Sequence, residues 1–192
     1  MVNDNLEVQN TWFGGQLVVE NKKITSILDE QLSKKRYKYP KKAYKTVNLP
    51  LKYNLLPAIP DKDYFKINVI KTELPGIVTF QETIEINFRI NSWMEILESE
   101  NLCHLCVIER HDKNGEYSHS FLKNFNLKGG AVASSVGHDA HNAVVAGLNV
   151  SDMQLAVNTI NNDQGGIVIV NQGKIISKVH LPIAGLLSDK KA

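Results

Sequence analysis

Between Glu30 and Asp61 the chain contains no acidic residue, while Lys34, Lys35, Arg36, Lys38, Lys41, Lys42, Lys45 and Lys52 supply eight bases. Pro40, Pro50, Pro57 and Pro60 punctuate the same stretch. Proline breaks helix interiors and is excluded from central strands, so no long regular element can run through it. The 192 residues therefore divide into three zones, 1–32, 33–60 and 61–192. Without the belt, 14 bases face 20 acids, so a mildly acidic body carries one basic strap under a formal net charge of only +2. The strap reads as a linker crossing a surface, with Tyr37, Tyr39, Tyr44 and Tyr53 packing down onto it. Base and aromatic residues interleaved in this way also suit nucleic acid. No recognisable module surrounds them, so nucleic acid is not the expected partner.

Composition places the chain among globular domains, with 43% hydrophobic and 22% charged residues. Length excludes a complete (β/α)8 barrel beside anything else, since one needs roughly 200 to 250 residues. The N-terminus Met1-Val2-Asn3-Asp4-Asn5-Leu6-Glu7 is polar and acidic, unlike a secretory leader. No apolar run approaches membrane-span length; the best, Ile167 to Val170, is strand-sized. Two cysteines, Cys103 and Cys106, make no disulfide framework. A cytoplasmic protein with no membrane partner is expected.

Element signals are clearest in the third zone. Gly14-Gly15 between Thr11–Phe13 and Gln16–Glu20 predicts a tight hairpin in the first. Ile24, Ile27, Leu28 and Leu32 share a weak helical face. Phe65, Ile67 and Val69 alternate with polar residues, as do Ile84, Ile86, Phe88 and Ile90, which predicts half-buried strands. Trp93 to Glu98 fits a short helix, and Leu102 to Glu109 a buried strand ending in charge. Ser151 with Gln154 reads as a capping box and Val150 with Leu155 as a staple. Met153, Ala156, Val157 and Ile160 then form one apolar helix face. Gly165-Gly166 ends the helix, and a hairpin follows, turning at Asn171-Gln172-Gly173. The pattern predicts an α+β fold with a mixed or antiparallel sheet and few helices.

Candidate chemistry is thin. Cys103-His104-Leu105-Cys106 has zinc-pair spacing, yet on a strand positions i and i+3 face opposite ways, so buried structural cysteines are expected. Gly129-Gly130-Ala131-Val132-Ala133-Ser134-Ser135 lacks the Lys-Ser/Thr of a phosphate loop, and its glycines suggest close backbone packing instead. His138-Asp139-Ala140-His141-Asn142 is the densest polar word. Its His138, Asp139 and His141 are candidate metal ligands if a turn gathers them, with Asn142 orienting one ring. Glu109-Arg110-His111 ends a strand and could hold a ligand or finish a sheet. Glu109, Arg110, His111 and Asn142 are expected to join the histidine word in one polar cluster, serving a ligand or an interface.

From Val107 onward the words follow an order that resembles one family. They are Val107-Ile108-Glu109-Arg110-His111, Phe121 to Leu127, Gly130 to Val136, His138 to Asn142, Asp152-Met153 with Ala156-Val157, Gly165-Gly166-Ile167-Val168, and Leu181 to Ser188. Together they resemble the C-terminal region of adenine deaminases, of the amidohydrolase superfamily. Trp12 to Glu20 is similar to the hairpin remnant of that superfamily's small β-domain. The resemblance implies deamination of adenine to hypoxanthine and ammonia in a complete enzyme, whose barrel holds manganese or iron to activate water. It implies no catalytic residue and no cofactor in this chain, which is expected to be inactive alone. The implied partners are a barrel-bearing adenine deaminase chain or a second copy in a homo-oligomer; the alternative is a non-catalytic binding or oligomerisation module. Ala140 stands where the family usually has Ser. Asn124 and Asn126 stand where it usually has Gly, so the loop around Phe125 is expected to differ in backbone shape.

Overall fold

The structure, a computed structural model, describes residues 2–34, 38–50, 52–58, 60–73, 78–89 and 91–190, and it divides into two compact units, Met1–Tyr39 and Pro40–Ala192. Lys35, Arg36, Tyr37 and Ile90, used above, lie outside the described residues.

In the first unit, β1 (Thr11–Phe13) and β2 (Gln16–Glu20) pair antiparallel, and β3 (Lys23–Ile24) adds to β2. Gly14 and Gly15 have φ of 55° and 78°, the double left-handed turn that suits strand twist. Helix α1 (Ser26–Lys34) starts later than the periodicity from Ile24 suggests. Ile24 is taken by the strand, and the Thr25 hydroxyl donates to the Leu17 and Val18 carbonyls, which closes the strand before the helix opens.

The second unit is one mixed sheet of eight strands. They are β4 (Tyr64–Thr72), β5 (Thr79–Asn87), β6 (Leu102–Ile108), β7 (Tyr117–Lys123), β8 (Ala131–Ser134), β9 (Ala143–Gly147), β10 (Gly166–Asn171) and β11 (Lys174–His180). The order is β11-β10-β8-β9-β6-β7-β4-β5, antiparallel except where β4 meets β7. The α+β class and the mixed sheet agree with the sequence pattern.

Helices α2 (Trp93–Ser99) and α3 (Val150–Asp163) cover the same face. Ser92 and Glu95 form a reciprocal capping box at α2, a signal the sequence reading passed over. At α3 the cap is Asn149, not Ser151: its side chain accepts the Asp152 N–H at 2.8 Å, and helix geometry begins at Val150. The predicted apolar face is correct. Met153, Ala156, Val157 and Ile160 are buried against Ala131, Ala133, Val145, Val168 and Val170. Each large side chain buried there contributes roughly 1.5–3 kcal/mol. The small residues of β8 let the helix approach, and Gly130 (φ 71°) lets the strand start, since a Cβ there would fall 2.0 Å from the Val170 carbonyl oxygen.

The belt departs from a simple linker. From Pro40 onward it belongs to the second unit, because its short apolar words bury: Val47 is 1% exposed and Leu55 5%. Gln164, left-handed at the end of α3, bonds both the N–H and the carbonyl of Val47. Tyr44 and Tyr53 are half-buried as expected, while Lys41, Lys42, Lys45 and Lys52 stay in solvent.

Candidate functional site

Strand β6 ends at Ile108, and alternation then sends Glu109 and Arg110 to opposite faces of the sheet. Arg110, 1% exposed, lies on the helix-covered face. Its Nε donates to the His141 carbonyl and its Nη2 to the Ala184 carbonyl at 3.1 Å, while its own carbonyl accepts the Asn48 N–H at 2.9 Å. Burial lowers the guanidinium from its ordinary value and the Glu109 charge opposes that. A guanidinium stays protonated in either case. Gly185 (φ 69°) makes room, because a Cβ there would stand 2.7 Å from Arg110 Nη1. Ser135, fully buried, completes the knot by donating to the Gly185 carbonyl at 2.6 Å and accepting the Gly166 N–H at 2.8 Å.

Glu109 turns the other way, into its own loop. Its carboxylate accepts the N–H groups of His111 and Lys113. Burial pushes the carboxyl up, but these bonds and one from Gly115 outweigh it and hold it below the usual range. Glu109 and Arg110 are thus two separate anchors, each satisfying backbone.

The word from His138 to Asn142 is a loop between β8 and β9, with Asp139 and His141 at φ of 61° and 49°. Left-handed steps of this kind are tolerated best by short polar side chains. His111 reaches the loop: its Nε2 lies 2.9 Å from the Ala140 carbonyl, which can only accept, so that nitrogen carries the proton. Glu109, His111, Asp139, His141 and Asn142 line one cleft of about 620 Å³, joined by Val107, Glu116, Tyr117 and Ser118. Arg110 lies outside the cleft lining, as does His138, whose side chain is 96% exposed and 3.2 Å from the Asp139 carboxylate. The buried Nδ1 of His141 has no hydrogen-bond partner.

Among the described residues no group of three or more His, Cys, Asp or Glu side chains is gathered closely enough to hold a metal ion. His138, Asp139 and His141 are all described and form no such set. Manganese or iron does not fit the donors present. Cys103 and Cys106 sit on β6 as the strand reading requires, both buried, and burial pushes each thiol up to about 11. Asn124 and Asn126 adopt φ of 64° and 60°, a left-handed conformation that asparagine tolerates better than most residues.

Sequence reasoning missed Ser135, and it missed the tie between Asp152 and the last hairpin. The Asp152 carboxylate accepts the N–H groups of Gln172 and Gly173 at 3.1 and 2.7 Å, besides the Asn149 amide at 2.9 Å. A turn residue pair with free N–H groups is the only sequence signal for such a tie. Among the described residues no helix is long and apolar enough to cross a membrane.

The family described as adenine deaminase C-terminal domain matches residues 76–192. Over all 192 residues the chain is 52% identical to adenine deaminase 2 of Bradyrhizobium sp. strain ORS 278 and 50% identical to the adenine deaminase of Chelativorans sp. strain BNC1. The adenine deaminase of Methanococcoides burtonii is 40% identical over 160 residues, covering 79% of this chain and 26% of that protein. The chain spans about a third of the length of these relatives, 32% for the first two.

Proposed function

We propose, from the premise that the chain belongs to the adenine deaminase C-terminal domain family, that it is the C-terminal portion of an adenine deaminase and works in company with a catalytic portion. In that setting it supports metal-dependent hydrolytic deamination of adenine to hypoxanthine and ammonia. By itself it is inactive.

One observation carries this reading. The likeness to adenine deaminases runs the full length of the chain at up to 52% identity, yet covers only 32% of those enzymes. A mononuclear hydrolytic metal needs about three protein ligands and an open position. The described residues gather no such set, which favours placing the reacting centre in the remaining two thirds.

The cleft beside Glu109 is this chain's contribution. In the neutral ring with its proton on His111 Nε2, Nδ1 is an acceptor, and the Asn142 amide both donates and accepts. An aminopurine presents an exocyclic amine and ring nitrogens, and these two side chains match that pattern. Glu109 is a fixed anion that keeps the loop at 111–115 in shape. Arg110 is a positioning residue, holding the Asp139–Asn142 loop against the turn at Ala184. The cleft therefore serves as a polar approach for adenine, not as a place where bonds break.

The test is ammonia release from adenine by the purified chain supplied with manganese or iron. No turnover is expected. Turnover above the metal-only control would overturn the assignment of chemistry to the catalytic portion.

A further inference from the structure

The eight-stranded sheet has its two helices on one face only. On the opposite face, five adjacent strands, β10-β8-β9-β6-β7, present not one charged side chain. The register puts Ile167 beside Ser134, Val132 beside Ala146, and Leu105 beside Ser120 along this face. Exposure is concentrated at the β10–β11 end, where Ile167 and Ile169 are 38% and 45% exposed and Val179 on β11 is 51%. Cys103, Leu105 and Ala146 at the centre of the face are instead buried among Leu122, Leu127, Val132 and Val144. Charge begins only at the margins, with the Lys66–Glu85 ion pair on β4 and β5 and with Lys174 on β11. An antiparallel sheet that meets water on one side alternates apolar and polar, so this face lacks the pattern of a wet one.

We infer that this open face is the seat of the catalytic portion of the enzyme, an inference that rests on the function proposed above. Three observations select that occupant. Broad uncharged surfaces belong to permanent interfaces more than to transient ones. The relatives carry two further thirds of chain on the same polypeptide, so such an occupant is tethered at high effective concentration. The polar cleft also opens at one end of this face: Val107 and Ser118 belong to both. Whatever covers the apolar strands therefore meets the cleft at its rim, which puts the His111 and Asn142 side chains at the junction of the two portions.

The experiment compares this chain alone with a full-length chimera, in which it replaces the matching third of the Bradyrhizobium adenine deaminase 2. Ile169→Cys is labelled with a maleimide and read by mass at position 169; Cys103 and Cys106 are buried. Labelling is expected to be at least tenfold slower in the chimera than in the isolated chain. The charge pair Ile167→Glu with Ile169→Lys should leave the unfolding midpoint of the isolated chain nearly unchanged. In the chimera it should split one unfolding transition into two. Equal labelling in both proteins overturns the inference. So does an isolated chain that sediments as a dimer through this face, shown by the charge pair returning it to a monomer, because the occupant is then a second copy. Ammonia release by the chimera is scored separately. A chimera that shields position 169 from the maleimide but deaminates nothing strikes the proposed function and leaves the docking face standing.

Discussion

Removing the Arg110 guanidinium is the sharpest test of how the loops are held. In Arg110→Met the aliphatic stem stays, so little volume is lost, but the carbonyls of His141 and Ala184 lose a charged donor inside the fold. Hydrogen bonds to charged groups contribute about 1.5–3 kcal/mol each. Met avoids the cost of burying a charge, which offsets part of the loss, so the net effect should be about 3 kcal/mol. Against a total of about 5–15 kcal/mol, that is a large fraction. The midpoint should fall by roughly 6–12 °C for a chain of this size. The chain has two tryptophans. In a Trp12→Phe background only Trp93 emits, and its contacts with Phe88 and Phe121 make it report on the second unit. Urea titration of that fluorescence gives the stability difference. A loss below about 1 kcal/mol with an unchanged urea slope would refute the account of Arg110 as the clamp.

Asp152→Ala removes a helix-end acceptor and frees two turn N–H groups, and should cost about 2–3 kcal/mol by the same titration. The Asn149 amide, followed by the Gly173 and Gln172 N–H groups, holds the Asp152 carboxyl below its ordinary value of 3.8. Its stabilisation is therefore complete above that value and is lost as pH falls through the lower folded value. Stability of the wild type should drop more steeply than that of Asp152→Asn below about pH 4. Burial, and then the His119 charge, push His104 down to about 4, so NMR should show its ring neutral until about that pH. Gly130→Ala should cost well over about 1 kcal/mol by urea titration, because it combines a left-handed φ with contact against the Val170 carbonyl. Millimolar manganese should leave the midpoint unmoved; a rise would restore His138, Asp139 and His141 as ligands.

Periodicity made the sheet and α3 legible, because alternation and a 3.6-residue face report burial directly. The cluster was legible as a neighbourhood: five of its seven residues line one cleft. What failed was local geometry. Nothing in Glu109-Arg110 tells which residue faces which side until the strand end is known, and both spend their charge on backbone, which no residue pairing reveals. The belt misled for a different reason. Lys38, Lys41, Lys42, Lys45 and Lys52 do stay in water, but Val47 and Leu55 are core residues, and a charge average hides single buried positions. Ser151 and Asn149 are both good caps, and only the exit direction of β9 chooses between them.

The lone parallel pairing has a kinetic meaning. β4 touches β7 through two register pairs, Ile70 with Leu122 and Lys71 with Lys123, whereas β6 and β7 share seven. The parallel partners lie about fifty residues apart in the chain, so this joint must wait until the β6–β7 hairpin exists. The β4–β5 arm, held besides by the packing of Val69, Ile84 and Ile86 against Leu97 and Phe121, should on this ground assemble after that hairpin and open before it. In the native protein its amides should exchange through a partial opening that leaves the cleft, the clamp and the apolar face intact.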